Sequence, residues 1–91
     1  MIKSYQDLKV WKKSIDLAEM CYRISENFPR SENFGLISQM RRASVSVCSN
    51  IAEGHSRQYT KQFLEFLSIA QGSLSDLETQ MLIAFRLNYL N

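Results

Sequence analysis

The sequence has few residues that interrupt helices. It holds three glycines and one proline in 91 residues, and no Gly-, Ser- or Pro-rich stretch marks a linker. No apolar run approaches the roughly 20 residues that a bilayer-spanning helix needs. The first seven residues also lack the apolar segment of a signal peptide. These absences predict one helical domain spanning residues 1–91, without a membrane segment.

Residues that carry chemistry are equally sparse. His55 is the one histidine, and no acidic or thiol side chain lies at ligand spacing from it. Cys21 and Cys48 do not form a C-x-x-C pair, which favours two buried free thiols in a cytoplasmic protein. Phosphate-binding, dinucleotide-binding and hydrolase motifs are missing. The sequence therefore predicts a protein that is not an enzyme and that holds no metal and no cofactor.

Charge is unevenly distributed along the chain. Residues 1–61 hold ten Lys and Arg against six Asp and Glu, whereas residues 62–91 hold one against three. Solvated helix faces explain such an excess most simply. The alternative is contact with a nucleic-acid backbone, helped by stacking on Tyr59. The candidate nucleic-acid-binding residues are Arg30, Arg41, Arg42, Arg57 and Lys61.

Apolar periodicity predicts three antiparallel helices, over residues 7–27, 34–53 and 60–88. Pro29 follows the first helix, and Gly54 is expected at the left-handed position that ends the second. The third helix carries the longest apolar seam: Phe63, Leu67, Ala70, Leu74, Leu77, Met81 and Ala84. Phe66, Leu82 and Phe85 lie beside this seam, so the helix has more apolar surface than two shorter helices cover. Another helix or another subunit is expected to cover the remainder.

A polar ridge runs along the second helix at spacings of three and four: Ser38, Arg42, Ser46, Asn50 and Glu53. It could bind a partner or a phosphate backbone, but an internal polar network is the favoured interpretation. Glu53 lies at the helix end that disfavours acids, and Glu78 interrupts an apolar row. We therefore predict that Arg41 or Arg42 pairs with one of these glutamates. A catalytic role for Glu78 is the weaker alternative, and Gly72 is expected to permit close approach of another backbone.

Several blocks of the sequence carry a family resemblance. They are Tyr5-x-Asp7-Leu8-x-Val10-Trp11, Phe28-Pro29, Phe34-Gly35-Leu36, Gln39-x-Arg41-Arg42-Ala43, Ser49-Asn50-Ile51-Ala52-Glu53-Gly54, Arg57 and Ile69-Ala70-x-Gly72-Ser73-Leu74. In this order they resemble the bacterial four-helix-bundle family named after the 23S rRNA intervening sequence protein. The resemblance implies small cytoplasmic bundles that form ring-like pentamers, some of them encoded inside 23S rRNA genes. No enzyme activity is established for that family, and a structurally similar protein assists a reverse transcriptase.

The resemblance and the residues together give one expectation. The chain should fold as an all-α, antiparallel up-down bundle of three helices, with the family's fourth helix absent or truncated after Asn91. It should form a homo-oligomer, with five subunits expected, that binds RNA or an RNA-associated protein. The alternative is a protein-binding scaffold or accessory factor, such as one for a reverse transcriptase, that does not contact RNA directly.

Overall fold

Three α-helices account for most of the chain. The computed structural model describes residues 4–90, and within them lie α1 (Lys9–Ser25), α2 (Leu36–His55) and α3 (Thr60–Arg86). Short 3-10 turns at Tyr5–Asp7 and Arg30–Glu32 precede α1 and α2, and this part of the chain contains no strand. The predicted all-α class is confirmed, and each helix end lies within two residues of its predicted position.

The second helix is the centre of the bundle, because it contacts both of the others. Late α1 meets early α2 where Arg41 bonds the carbonyl of Tyr22, and the hydroxyls of Ser46 and Ser73 join α2 to α3. Both pairings are antiparallel. No Cα atom of α1 comes within 8 Å of one in α3. The two outer helices therefore flank α2 with an open groove between them, in a body of 44 × 20 × 18 Å.

The core divides into two buried clusters along the long axis. The larger lies where α1 ends and α2 begins, and contains Cys21, Phe28, Leu36, Ile37, Met40, Ala43, Leu77 and Ala84. The smaller, at the other end, contains Val47, Ile51 and Ala70, with Leu8, Trp11, Leu67 and Leu74 packed against it. In α2 and α3 the buried apolar residues follow the predicted spacing of three and four. In α1, Ile15 and Tyr22 of the predicted apolar row are 40% and 41% exposed, and Ser14 and Ser25 are buried.

Neither Gly54 nor Gly72 has the role that the sequence predicted for it. Gly54 lies inside α2 without a positive φ, and Ser56 is the C-cap, so the predicted left-handed position is wrong. A Cβ on Gly54 would lie 2.7 Å from the Cβ of Phe66 and 3.0 Å from Cδ1 of Phe63. A Cβ on Gly72 would meet nothing within 4 Å among the described residues. Close approach of two helices therefore requires glycine at position 54, not at position 72.

The chain reverses direction after α3. Asn88 adopts a left-handed conformation with φ of 63°, and the amide N–H of Tyr89 donates to the carbonyl of Ala84 at 2.9 Å. This is the bonding of a Schellman motif, with asparagine at the position that glycine usually occupies. The turn directs Tyr89 and Leu90 toward the end of α1, where both pack on the larger cluster.

Glu32 joins this final segment to the start of α2. Its Oε1 accepts a hydrogen bond from the amide N–H of Leu36 at 3.1 Å, which satisfies one of the unpaired donors of the first helical turn. Its Oε2 accepts from the Tyr89 hydroxyl at 3.0 Å, and the Tyr89 ring packs 5.4 Å from that of Phe28. The carboxylate raises the pKa of Tyr89 above 10.0, because a charged acceptor stabilises the protonated hydroxyl.

Candidate interaction surfaces

The two ends of the bundle differ in charge. Residues 4–13 and 53–65 form the end where α1 begins and α2 turns into α3, and they hold five Lys and Arg against three Asp and Glu. Residues 19–36 and 76–90 form the opposite end and hold three against five. We call these the basic end and the acidic end. The helical hairpins place the lysines of α1 at the same end of the bundle as the cations of the α2–α3 loop and the first turn of α3, which the linear sequence did not reveal.

The five predicted nucleic-acid-binding residues do not form one patch. Arg57 and Lys61 lie at the basic end, whereas Arg30 lies in the 3-10 turn at the acidic end. Arg41 and Arg42 lie between the ends, on different sides of α2. A helix of about 20 residues is about 30 Å long, so Arg30 and Arg57 are separated by the length of α2. The basic end instead adds Lys9, Lys12 and Lys13, which the sequence reasoning did not select.

Side chains at the basic end hold Arg57 in place. Its guanidinium lies 2.6 Å from the Glu53 carboxylate and 4.9 Å from the centre of the Phe66 ring. Tyr59 follows in the loop and is 63% exposed, and Lys61 lies in the first turn of α3. An exposed aromatic ring among cations can stack on a base while the cations contact phosphates.

Arg41 has a structural role, as predicted, but with partners other than the predicted glutamates. Its Nε donates to the Ser25 hydroxyl at 2.9 Å, and Nη2 donates to the Tyr22 carbonyl at 3.2 Å. The guanidinium also lies 4.6 Å from the centre of the Tyr22 ring. Ser25 is fully buried. The arginine therefore links α1 to α2 and satisfies backbone groups near the end of α1, which leaves it poorly placed for RNA.

The predicted ion pairs between these arginines and Glu53 or Glu78 are wrong within one chain. Glu53 pairs with Arg57 instead, as residues four apart on the hairpin can. Glu78 is exposed, and no ion pair joins it to any side chain in residues 4–90. Periodicity placed the glutamates correctly on their helices, but it could not show which neighbouring helix each row faces.

The polar ridge of α2 faces α3, and part of it forms the predicted internal network. The hydroxyls of Ser46 and Ser73 lie 2.8 Å apart, and the Asn50 amide donates to the Ser46 carbonyl at 2.8 Å and to its hydroxyl at 3.0 Å. This three-residue chain of hydrogen bonds fixes the register of α2 against α3. Asn50 therefore belongs to an internal network as predicted, and Arg41 bonds to α1, whereas Arg42, Glu53 and Glu78 join neither set of bonds.

An open polar groove of about 610 Å³ extends from this network toward the acidic end. Arg42 lines one wall and Asp76 the other, without an ion pair between them. The Oε1 atom of Gln80 is buried there without a hydrogen-bond partner among the described residues. Phe34 lies on its rim and is 100% exposed. Sequence reasoning did not select Phe34, Asp76 or Gln80, because only the pairing of α2 with α3 brings them together.

An apolar groove lies on the other side of α3. Its floor is Val47 and Ile51 of α2, and its walls come from α1 and α3. The wall residues are Val10, Leu17, Leu67, Ala70 and Leu74. Farther along the α3 wall, Leu82 is 52% exposed and Phe85 is 61% exposed. The surface that the sequence predicted to need a cover is therefore present and open.

The described residues offer little for covalent chemistry. No group of three or more His, Cys, Asp or Glu side chains in residues 4–90 could hold a metal ion. Cys21 and Cys48 are buried free thiols, and burial raises the pKa of Cys21, with a hydrogen bond to Ser44 opposing part of that shift. No described helix is long and apolar enough to cross a membrane.

The fold and the motifs lead to one family. A search of curated proteins finds no match to this chain. The family model described as 23S rRNA-intervening sequence protein matches residues 6–91, which include the three helices and every quoted motif apart from the first residue of the Tyr5 block. The chain therefore belongs to the 23S rRNA-intervening sequence protein family.

Proposed function

We propose that this chain is a non-enzymatic, cytoplasmic, homo-oligomeric protein that binds RNA through its basic end. The observation that carries the proposal is the convergence there of Lys9, Lys12, Lys13, Arg57 and Lys61. All five are exposed, and Tyr59 adds an exposed aromatic ring. Phosphate contacts need exposed cations, and stacking needs an accessible ring. The basic end supplies both.

The open apolar surface supports the oligomer. Large side chains such as Leu64, Leu82 and Phe85 are more than half exposed on one chain, and a partner subunit would remove them from water. The family resemblance suggests a ring of five. In a closed ring every subunit is equivalent, so all basic ends would lie on the same face. The small charge excess of one chain would thereby be multiplied into a basic surface that a folded RNA could span.

RNA binding is tested by filter binding of structured RNA at 50 and 200 mM salt. The wild-type affinity should fall steeply with salt, because phosphate contacts release counterions. A Lys12→Glu, Lys61→Glu double variant should bind weakly at both salts. The slope of log affinity against log salt should fall by about one for each phosphate contact removed.

The matched control carries the same charge change at the other end. An Arg30→Glu, Arg86→Glu double variant should bind RNA with close to wild-type affinity, because both residues lie at the acidic end. Equal losses in both double variants would show that only net charge matters. That result would remove the basic end from the proposal.

The second candidate function is a protein-binding scaffold or accessory factor that does not contact RNA. The small charge excess of the basic end favours it, because three acids there oppose the five cations and Glu53 pairs with Arg57. It predicts no RNA binding by the wild type at 50 mM salt.

A further inference from the structure

Two opposite charges in the middle of the bundle form no ion pair within the described part of the chain. Arg42 lines the polar groove between α2 and α3 and forms no ion pair in residues 4–90. Glu78 lies four residues after Leu74, a wall residue of the apolar groove, so it lies on that side of α3. Leu82 and Phe85 continue its row. Covering this row would bury a carboxylate among apolar side chains, which is costly unless a cation pairs with it.

Arg42 and Glu78 lie at the same height along the bundle, although they face different sides. The Ser46–Ser73 contact sets the register of the antiparallel helices. Both helices rise about 1.5 Å per residue, and they run in opposite directions. Arg42 lies four residues before Ser46, so it is level with Leu77, which lies four residues after Ser73 and next to Glu78. Phe34 precedes α2 and Phe85 lies in the last turn of α3, so both lie toward the acidic end of the bundle.

We infer that the polar-groove face of one copy packs against the Glu78 row of the next copy. This inference rests on the proposed oligomer and specifies its interface. Arg42 of one subunit would pair with Glu78 of its neighbour, and the fully exposed Phe34 would pack on Leu82 and Phe85. The guanidinium fork suits a carboxylate, and three exposed apolar side chains would leave water together.

The opposite charges of Arg42 and Glu78 and their matched heights favour a second copy as the partner. In a closed ring whose bundle axes are parallel to the ring axis, neighbours are related by rotation without translation along that axis, so contacting residues lie at equal heights. Arg42 and Glu78 meet this condition to within one residue. The two faces differ, so the contact is heterologous, and each subunit uses both. An unrelated helix docking in the apolar groove would not require this match.

The test is a charge swap followed by light scattering during size-exclusion chromatography at tens of micromolar protein. The single variants Arg42→Glu and Glu78→Arg should each weaken assembly at least tenfold in dissociation constant. The combined variant should regain assembly to within a few-fold of wild type, since the pair is restored with its charges exchanged. Phe34→Ala should weaken assembly by itself. Circular dichroism should show unchanged helix content, because both charged side chains are exposed in the single chain.

Control substitutions of the same charge are available on α1. Arg23→Glu and Asp16→Arg alter exposed residues that line neither groove, and assembly should remain intact. A wild-type monomer would overturn both the proposed oligomer and this interface. A wild-type oligomer that tolerates both single swaps would overturn the interface alone. So would a combined variant that fails to reassemble.

Discussion

Alanine at the two helical glycines should have opposite effects on stability. Gly54 and Gly72 both lie inside long helices with ordinary backbone angles, so alanine gains the same helix propensity at each, about 1 kcal/mol. At Gly72 a new methyl group meets nothing within 4 Å, and the variant should be about 0.5–1 kcal/mol more stable. At Gly54 the methyl group would lie 2.7 Å from the Cβ of Phe66.

That contact cannot relax by a side-chain rotation, because a Cβ atom moves only with its backbone. The carbonyl oxygen of Phe63, 3.2 Å away, is backbone as well. Forcing α3 away from α2 should cost about 1–3 kcal/mol, as overpacking does in other cores. Gly54→Ala should therefore be destabilised by up to about 2 kcal/mol relative to wild type, after the propensity gain. The difference between the two variants isolates the overpacking cost, because the propensity is common to both.

Thermal unfolding followed by circular dichroism, at one fixed protein concentration, measures this difference. One kcal/mol shifts the midpoint of a domain of this size by about 4–8 °C. Gly72→Ala should unfold several degrees above wild type, and Gly54→Ala should unfold below it. Equal or greater stability of Gly54→Ala compared with Gly72→Ala would refute the close approach of α2 and α3 at this position.

Three further results are expected. Arg41→Ala should lower the free energy of unfolding by about 1–3 kcal/mol in urea titrations. Arg41→Lys should recover only part of this loss, because lysine lacks the planar guanidinium that donates to both the Ser25 hydroxyl and the Tyr22 carbonyl. Cys21 should react with iodoacetamide only through unfolded molecules, because the side chain is fully buried and burial also raises its thiol pKa. Rapid labelling in native buffer would contradict this. Tyr89→Phe should be less stable than wild type at pH 8 in urea titrations. Glu32 raises the pKa of Tyr89 in the folded state, so this difference in stability should disappear as pH rises above 10.0. A difference that stays constant with pH would exclude the hydrogen bond.

Helix positions were predictable because they depend on rows within one segment. The apolar residues from Phe63 to Ala84 recur at spacings of three and four. Such a row lies on one face of a helix, whichever element packs against that face. Pro29 and the polar residues after it also marked the break between α1 and α2. The class and the helix ends therefore followed from local periodicity, and the family followed from the order of the motifs.

Contacts between helices were less predictable. Gly54 resembles a helix terminator in sequence, but its position opposite Phe66 depends on how α2 and α3 pair. Arg41 and Arg42 are adjacent in sequence, yet a step of about 100° along a helix sends one to α1 and the other to the polar groove. Buried serines were an available signal. Ser25 and Ser44 interrupt apolar rows, and a buried hydroxyl must find a hydrogen-bond partner.

The double role of Glu32 links the final segment of the chain to the start of α2 in one cooperative unit. One of its carboxylate oxygens caps α2 through Leu36, while the other holds Tyr89 beyond the end of α3. Release of the final segment frees the carboxylate to rotate, so fraying at the first turn of α2 becomes easier. Local opening at these two sites, more than 50 residues apart in sequence, is thus coupled. Any ligand that binds the final segment would change amide exchange at the start of α2, far from its own contacts in the sequence.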